Sequence, residues 1–139
     1  MTRVLVVDDE ENQVRLLVLG LQHEGFDAVG TRDPDAVLGM LGAQTADVAM
    51  VDLMMPGING IELARKIRDA FPSVRVVLTS AYHLSERQLS RADCGVIGFV
   101  PKPYVLPELA EFLRGKMRTL RAPQAAAEPA ESGSRLRAS

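Results

Sequence analysis

The chain has a single cysteine, Cys94, so it can form no internal disulfide and offers no thiolate cluster to a metal. Cys94 itself reads as a small, half-buried residue. Basic charge is not in excess: 16 Lys and Arg stand against 18 Asp and Glu, a formal net charge of -2. Surplus cations are what bind phosphate backbones, so direct nucleic-acid binding by this chain is not expected. Long apolar runs are also missing. The first, Val4 to Val7, meets Asp8-Asp9-Glu10-Glu11 at once, too short and too quickly followed by acid for a signal peptide or a membrane span. No internal repeat is present. The expectation is a soluble, cytoplasmic protein. With 139 residues, 47% of them hydrophobic and 24% charged, the chain is long enough for one domain with a real core.

What is there is organised around Val48-Ala49-Met50-Val51-Asp52. This short β-branched run free of charge reads as a strand buried on both faces. Pro56, Gly57, Asn59 and Gly60 then break it, which puts Asp52 at the carboxyl end of a central strand. Open α/β sheets place their ligand sites at such ends.

The rest of the chain repeats that design. Val4 to Val7 is a strand ending in Asp8-Asp9, and Val14, Leu17, Val18 and Leu21 give a helix from Glu11 to Glu24, stopped by Gly25. Phe26 to Thr31 is a weak strand. Asp33-Pro34 offers a cap to a second helix ending near Gly42. Asn59 and Glu62 have capping-box spacing for a third helix that runs toward Phe71. Val74 to Leu78 is a strand ending in Thr79-Ser80. Ser85 begins a short helix to about Ala92, and Val96 to Val100 is a strand ending in Pro101-Lys102-Pro103. Leu106, Leu109, Phe112, Leu113, Met117 and Leu120 mark the face of a last helix. Strand and helix alternate five times, which predicts an α/β fold: a doubly wound, five-stranded parallel sheet with helices on both faces. The domain spans residues 1–121. Residues 122–139, rich in Ala and Pro, read as a disordered tail or a truncated linker.

In a parallel sheet the strand ends share one edge, so Asp8, Asp9, Asp52, Thr79 and Lys102 can converge in one crevice. Clustered carboxylates repel each other, and a divalent cation relieves that. Mg2+ suits oxygen ligands, keeps waters and accepts a phosphate oxygen. Lys102 can pair with Asp52 or with an anion bound there, and Thr79 can donate to a phosphoryl oxygen. Plainer roles exist for each group: Asp8-Asp9 as a helix cap, Thr79-Ser80 as an ordinary strand end, Lys102 as a solvated lysine and Phe99 as a core aromatic.

Val6-Val7-Asp8-Asp9-Glu10, Val51-Asp52-Leu53-Met54-Met55-Pro56-Gly57, Leu78-Thr79-Ser80-Ala81 and Phe99-Val100-Pro101-Lys102-Pro103-Tyr104 lie in this order, each at a strand end. Together they resemble the receiver domain of bacterial two-component response regulators, from Thr2 to Leu120. The resemblance implies a flavodoxin-like strand order of 2-1-3-4-5. It makes Asp52 the acceptor of a phosphoryl group from a sensor histidine kinase or phosphotransfer protein. It implies Mg2+ held by Asp8, Asp9, Asp52 and the backbone carbonyl of Met54, with Lys102 and Thr79 completing the site. Thr79 then moves to the phosphoryl group and Phe99 swings inward behind it, altering the face made by the fourth helix, fifth strand and fifth helix. The Lys102–Pro103 peptide is expected to be cis. The protein would be a phospho-acceptor switch rather than an enzyme of metabolism, a monomer or an activation-dependent dimer, acting on a downstream protein.

Departures qualify this. Neither Met54 nor Ala81 can orient an attacking water, which implies a long-lived phosphorylated state. Ile97 and Gly98 stand where the winged-helix transcriptional class carries the acids of its dimer, disfavouring that dimer. Pro101 resembles the receivers of the nitrogen-regulatory ATPase class. Val105 is no polar helix cap, so the last helix would start loosely or lean on Pro107. The main alternative is a receiver cut from a longer regulator, of the transcription or the nitrogen-regulatory ATPase class. A Mg2+-dependent aspartyl-phosphate phosphohydrolase would want an Asp where Met54 stands. A flavodoxin-like nucleotide binder would want a Gly-rich or Ser/Thr-rich loop where Asp8-Asp9-Glu10-Glu11 stand.

Overall fold

β-branched residues with no charge between them build the middle of a five-stranded, all-parallel sheet in the computed structural model, in the order β2-β1-β3-β4-β5. The structure describes residues 1–81 and 96–121, without the side chains of 119–121. The strands are β1 (Arg3–Val7), β2 (Asp27–Thr31), β3 (Val48–Asp52), β4 (Arg75–Ser80) and β5 (Val96–Pro101). Between them run α1 (Glu11–His23), a 3-10 turn (Pro34–Ala36) leading into α2 (Val37–Ala43), and α3 (Gly60–Ala70); α4 (Leu106–Arg121) closes the chain. The expected helix over residues 85–92 and the expected tail over 122–139 lie outside the described residues, as does the side chain of Leu120.

Alternation along the strands divides the core in two. Leu5, Val7, Ala49, Val51, Val76 and Leu78 face α2 and α3, meeting Val37, Leu41, Leu63 and Ile67. Val4, Val6, Val48, Met50 and Val77 face α1 and α4, meeting Leu17, Leu21, Leu109 and Leu113. Every residue of β3 is buried, as expected of the central strand of a sheet covered on both sides.

Local signals set the element ends. Gly25, at φ 97°, closes α1 one residue earlier than the sequence suggests, with Glu24 as the cap. Phe26 is drawn into the core beside α1, its N–H bonded to the Leu21 carbonyl at 2.9 Å, so β2 begins at Asp27. Asp33 caps the turn at Pro34 by accepting from Asp35 N–H, and Asn59 caps α3 by accepting from Glu62 N–H at 2.9 Å. At α4, Val105 lends only its carbonyl, to Leu109 N–H at 2.9 Å, and Pro107 takes the second helical position. A register shift against Val76 and Val77 leaves Ile97 as an extra residue in β5, the kind of bulge that disrupts an edge strand.

Registry aligns the functional ends. Val7 lies beside Val51, Asp52 beside Thr79, and Thr79 beside Val100. Asp8, which follows β1, therefore lies level with Asp52, and Lys102, which follows β5, lies two residues beyond that level.

Candidate functional site

Asp52 is the last residue of β3, and only 5% of it is exposed. Asp8, directly after β1, is buried, while Asp9 is half-buried. Carboxylate oxygens of all three lie within 4.8 Å of one another. Lys102, directly after β5, reaches Asp8 Oδ2 at 2.9 Å and Asp52 Oδ2 at 3.6 Å. Lys102 thus pairs with Asp52, one of the roles open to it from the sequence, and still more closely with Asp8. The other Asp8 oxygen accepts from Glu10 N–H at 3.0 Å. That bond supports the entry to α1, but the N-cap residue is Glu10, whose own side chain makes no capping bond, and neither Asp8 nor Asp9 is the cap.

Among the described residues, three carboxylates against one ammonium leave the crevice net negative. Burial is the main force raising the Asp52 pKa, with repulsion from Asp8 next; Lys102 and the Met54 N–H pull it down, and Asp9 raises it further. The net result is an upward shift, so the carboxylate is more basic than a solvated one. Lys102 is pushed the opposite way by burial. Its hydrogen bond to Asp8 and the charges of Asp8 and Asp52 outweigh this, and its pKa rises, fixing the positive charge.

The crevice suits Mg2+ by its donor set: hard oxygens only, an uncompensated negative charge, and one carboxylate still half exposed to admit metal waters.

The loop after Asp52 is held from both ends. Met54 bridges Asn59, Met55 is buried, Gly57 turns at φ 88°, and Gly60 N–H bonds the Leu53 carbonyl at 2.7 Å. Met54 N–H reaches Asp52 Oδ1 at 3.4 Å, and the residue as a whole is 56% exposed. Ala81, directly after β4, is exposed.

Sequence reasoning took Gly60 for a loop-breaking residue and missed its closest neighbours. A Cβ there would lie 2.6 Å from the Asp52 carbonyl oxygen and 2.8 Å from Leu53 Cα, both backbone atoms that cannot swing aside. The glycine lets α3 press against the strand end that carries Asp52. Its signal was a glycine at the first helical position after a good cap, where propensity offers no reason for one.

Thr79 and Ser80 are buried at the end of β4. Phe99, beside Leu78 in the sheet, is half-buried and packs on the α2–α3 side of the core. The Lys102–Pro103 peptide is cis. Tyr104, which sequence reasoning left without a role, has a buried hydroxyl with no hydrogen-bond partner of good geometry among the described residues.

The family profile described as the response regulator receiver domain matches residues 4–114. Over 118 residues, 85% of this chain and 53% of the relative, the chain is 32% identical to the response regulator ArlR of Staphylococcus saprophyticus. It is 34% identical to the sensory transduction protein RegX3 of Mycobacterium tuberculosis over 118 residues, 85% of this chain and 52% of that protein. The chain thus spans about half the length of these curated relatives. Among solved structures, the response regulator TrrA of Thermotoga maritima in complex with Mg2+ and BeF is 31% identical, with a TM-score of 0.72 over 83% of this chain and 98% of its own. A CheY-like receiver domain protein of Methanospirillum hungatei, 21% identical, shares the fold at a TM-score of 0.78 over 86% of this chain and 95% of its own.

Proposed function

The chain belongs to the response regulator receiver domain family, and from that premise we propose that Asp52 accepts a phosphoryl group from the phosphohistidine of a sensor kinase or phosphotransfer protein. The observation that carries this is the convergence of Asp52 with two further carboxylates and Lys102 at one sheet edge, with Thr79 as its registered neighbour. An Asp52 oxygen attacks phosphorus, the P–N bond breaks, and its electron pair returns to the imidazole nitrogen. The chain positions the groups and neutralises charge. Asp8, Asp9, Asp52 and the Met54 carbonyl would hold Mg2+, which when bound supplies charge neutralisation at the carboxylates and the incoming phosphoryl group. The known complex of TrrA with Mg2+ and BeF supports this assignment.

Phosphorylation adds roughly -1.5 to -2 charge, by analogy with other phosphorylated side chains. Lys102 counters it. Thr79 donates its hydroxyl proton to a phosphoryl oxygen, and Phe99 follows inward. β5 and α4 then present a changed face to a downstream protein. The chain acts as a switch that assists its own phosphorylation and dephosphorylation, in the cytoplasm, with residues 1–121 as the working unit. The greater length of the curated relatives supports a second reading, in which this receiver serves as one part of a longer regulator.

Incubation with Mg2+ and a small phosphodonor tests the site. Wild type takes up acid-stable, base-labile label and Asp52→Ala does not; equal labelling of the two overturns the assignment.

A further inference from the structure

Tyr104 sits two residues beyond Lys102, on a segment pinned to β4 by the bond from Lys102 N–H to the Ser80 carbonyl at 2.9 Å. Its ring packs against the cluster that includes Val6, Val77 and Leu109. The hydroxyl at the end of that ring is enclosed, and none of the described residues bonds it with good geometry. Burial pushes its pKa up to about 12, and the Thr79 hydroxyl is the side chain near enough to oppose this by hydrogen bonding. At neutral pH Tyr104 is therefore a neutral O–H donor, enclosed within reach of Thr79 but not in hydrogen-bond geometry with it or with any other described residue.

An unpaired buried donor costs free energy, so any rearrangement that gives it an acceptor is favoured. Thr79 can provide one. A threonine hydroxyl has one proton and two lone pairs. Once Thr79 gives its proton to a phosphoryl oxygen, a lone pair remains to receive the proton of Tyr104, and each bond of such a chain strengthens the next.

We propose that Tyr104 is a positioning residue for the phosphorylated state: its hydroxyl, unpartnered in the unphosphorylated protein, donates to Thr79 when Thr79 donates to the phosphoryl group on Asp52. The inference rests on the phospho-acceptor reading of Asp52. It makes the buried hydroxyl a built-in bias toward the phosphorylated arrangement, which a phenylalanine of the same shape would lack.

The test uses the full chain as wild type, Tyr104→Phe, Thr79→Ala, the double variant and Asp52→Ala. Each is titrated with beryllofluoride in the presence of Mg2+, and the Tm of the unliganded form is measured. Tyr104→Phe weakens beryllofluoride binding about fivefold, as expected for the loss of one hydrogen bond. Its unliganded Tm is unchanged or higher, because no bond is lost in that state. In the Thr79→Ala background the effect of Tyr104→Phe disappears. Wild-type affinity in Tyr104→Phe, or an equal loss with Thr79 absent, overturns the proposal. Binding retained by Asp52→Ala would instead bring down the phospho-acceptor reading beneath it.

Discussion

At the scale of single residues, Asp52 shows how reactivity and stability oppose one another. Its pKa is raised by burial and by Asp8, so the folded protein holds its proton more tightly than the unfolded chain, whose carboxyl titrates near 3.8. Folding therefore disfavours the charged form. That cost is fully present above the folded pKa and vanishes as pH falls below the unfolded value. Asp52→Asn, close in shape and uncharged, should raise the Tm of the metal-free protein at pH 7, and the gain should shrink to nothing as pH falls through that window. A gain that persists undiminished at pH 3 would show that charge is not its source. Lys102 behaves in the opposite sense. Its raised pKa is a stabilising contribution present below the unfolded value of 10.5 and lost as pH rises through the folded one.

At the scale of elements, the junction between β3 and α3 separates a helix cap from a geometric constraint. Asn59 caps α3 by accepting from Glu62 N–H with its side chain, and its replacement by Ala should cost about 1 kcal/mol of stability. Gly60, its neighbour, touches the backbone of Asp52. Gly60→Ala should cost about 1–3 kcal/mol through overpacking. It should also slow phosphoryl uptake by the folded protein about tenfold or more, because the strand end carrying the acceptor must shift. Labelling rates at matched folded fraction check this, and equal rates for Gly60→Ala and Asn59→Ala would refute the positioning role. The cap could be read from residue spacing; the close approach could not, since it depends on where α3 lands against β3.

At the scale of the whole molecule, the sheet assembles charges that repel one another, and a bound cation should repay the strain. Mg2+ should raise the Tm in proportion to the logarithm of its concentration, reaching about 2.7 kcal/mol of added stability at a hundredfold excess over its Kd. Thermal unfolding with Mg2+, set against NaCl of equal ionic strength, checks this; an identical rise with NaCl would mean screening rather than a site. The elements that build this edge were legible because each carries its own local signal. Uncharged β-branched runs leading to Asp8, Asp52, Thr79 and Lys102 mark parallel strands, and the five alternations of strand and helix expected from the sequence leave few topologies open. Side-chain chemistry and periodicity are local, so the sequence by itself determined the architecture and the list of groups at its edge. Tertiary structure alone decided that Lys102 lies nearer Asp8 than Asp52, that Gly60 presses on the end of β3, and that the Tyr104 hydroxyl is buried without a hydrogen-bond partner among the described residues. Each of these depends on ångström-scale packing between segments far apart in the chain, which no local pattern encodes.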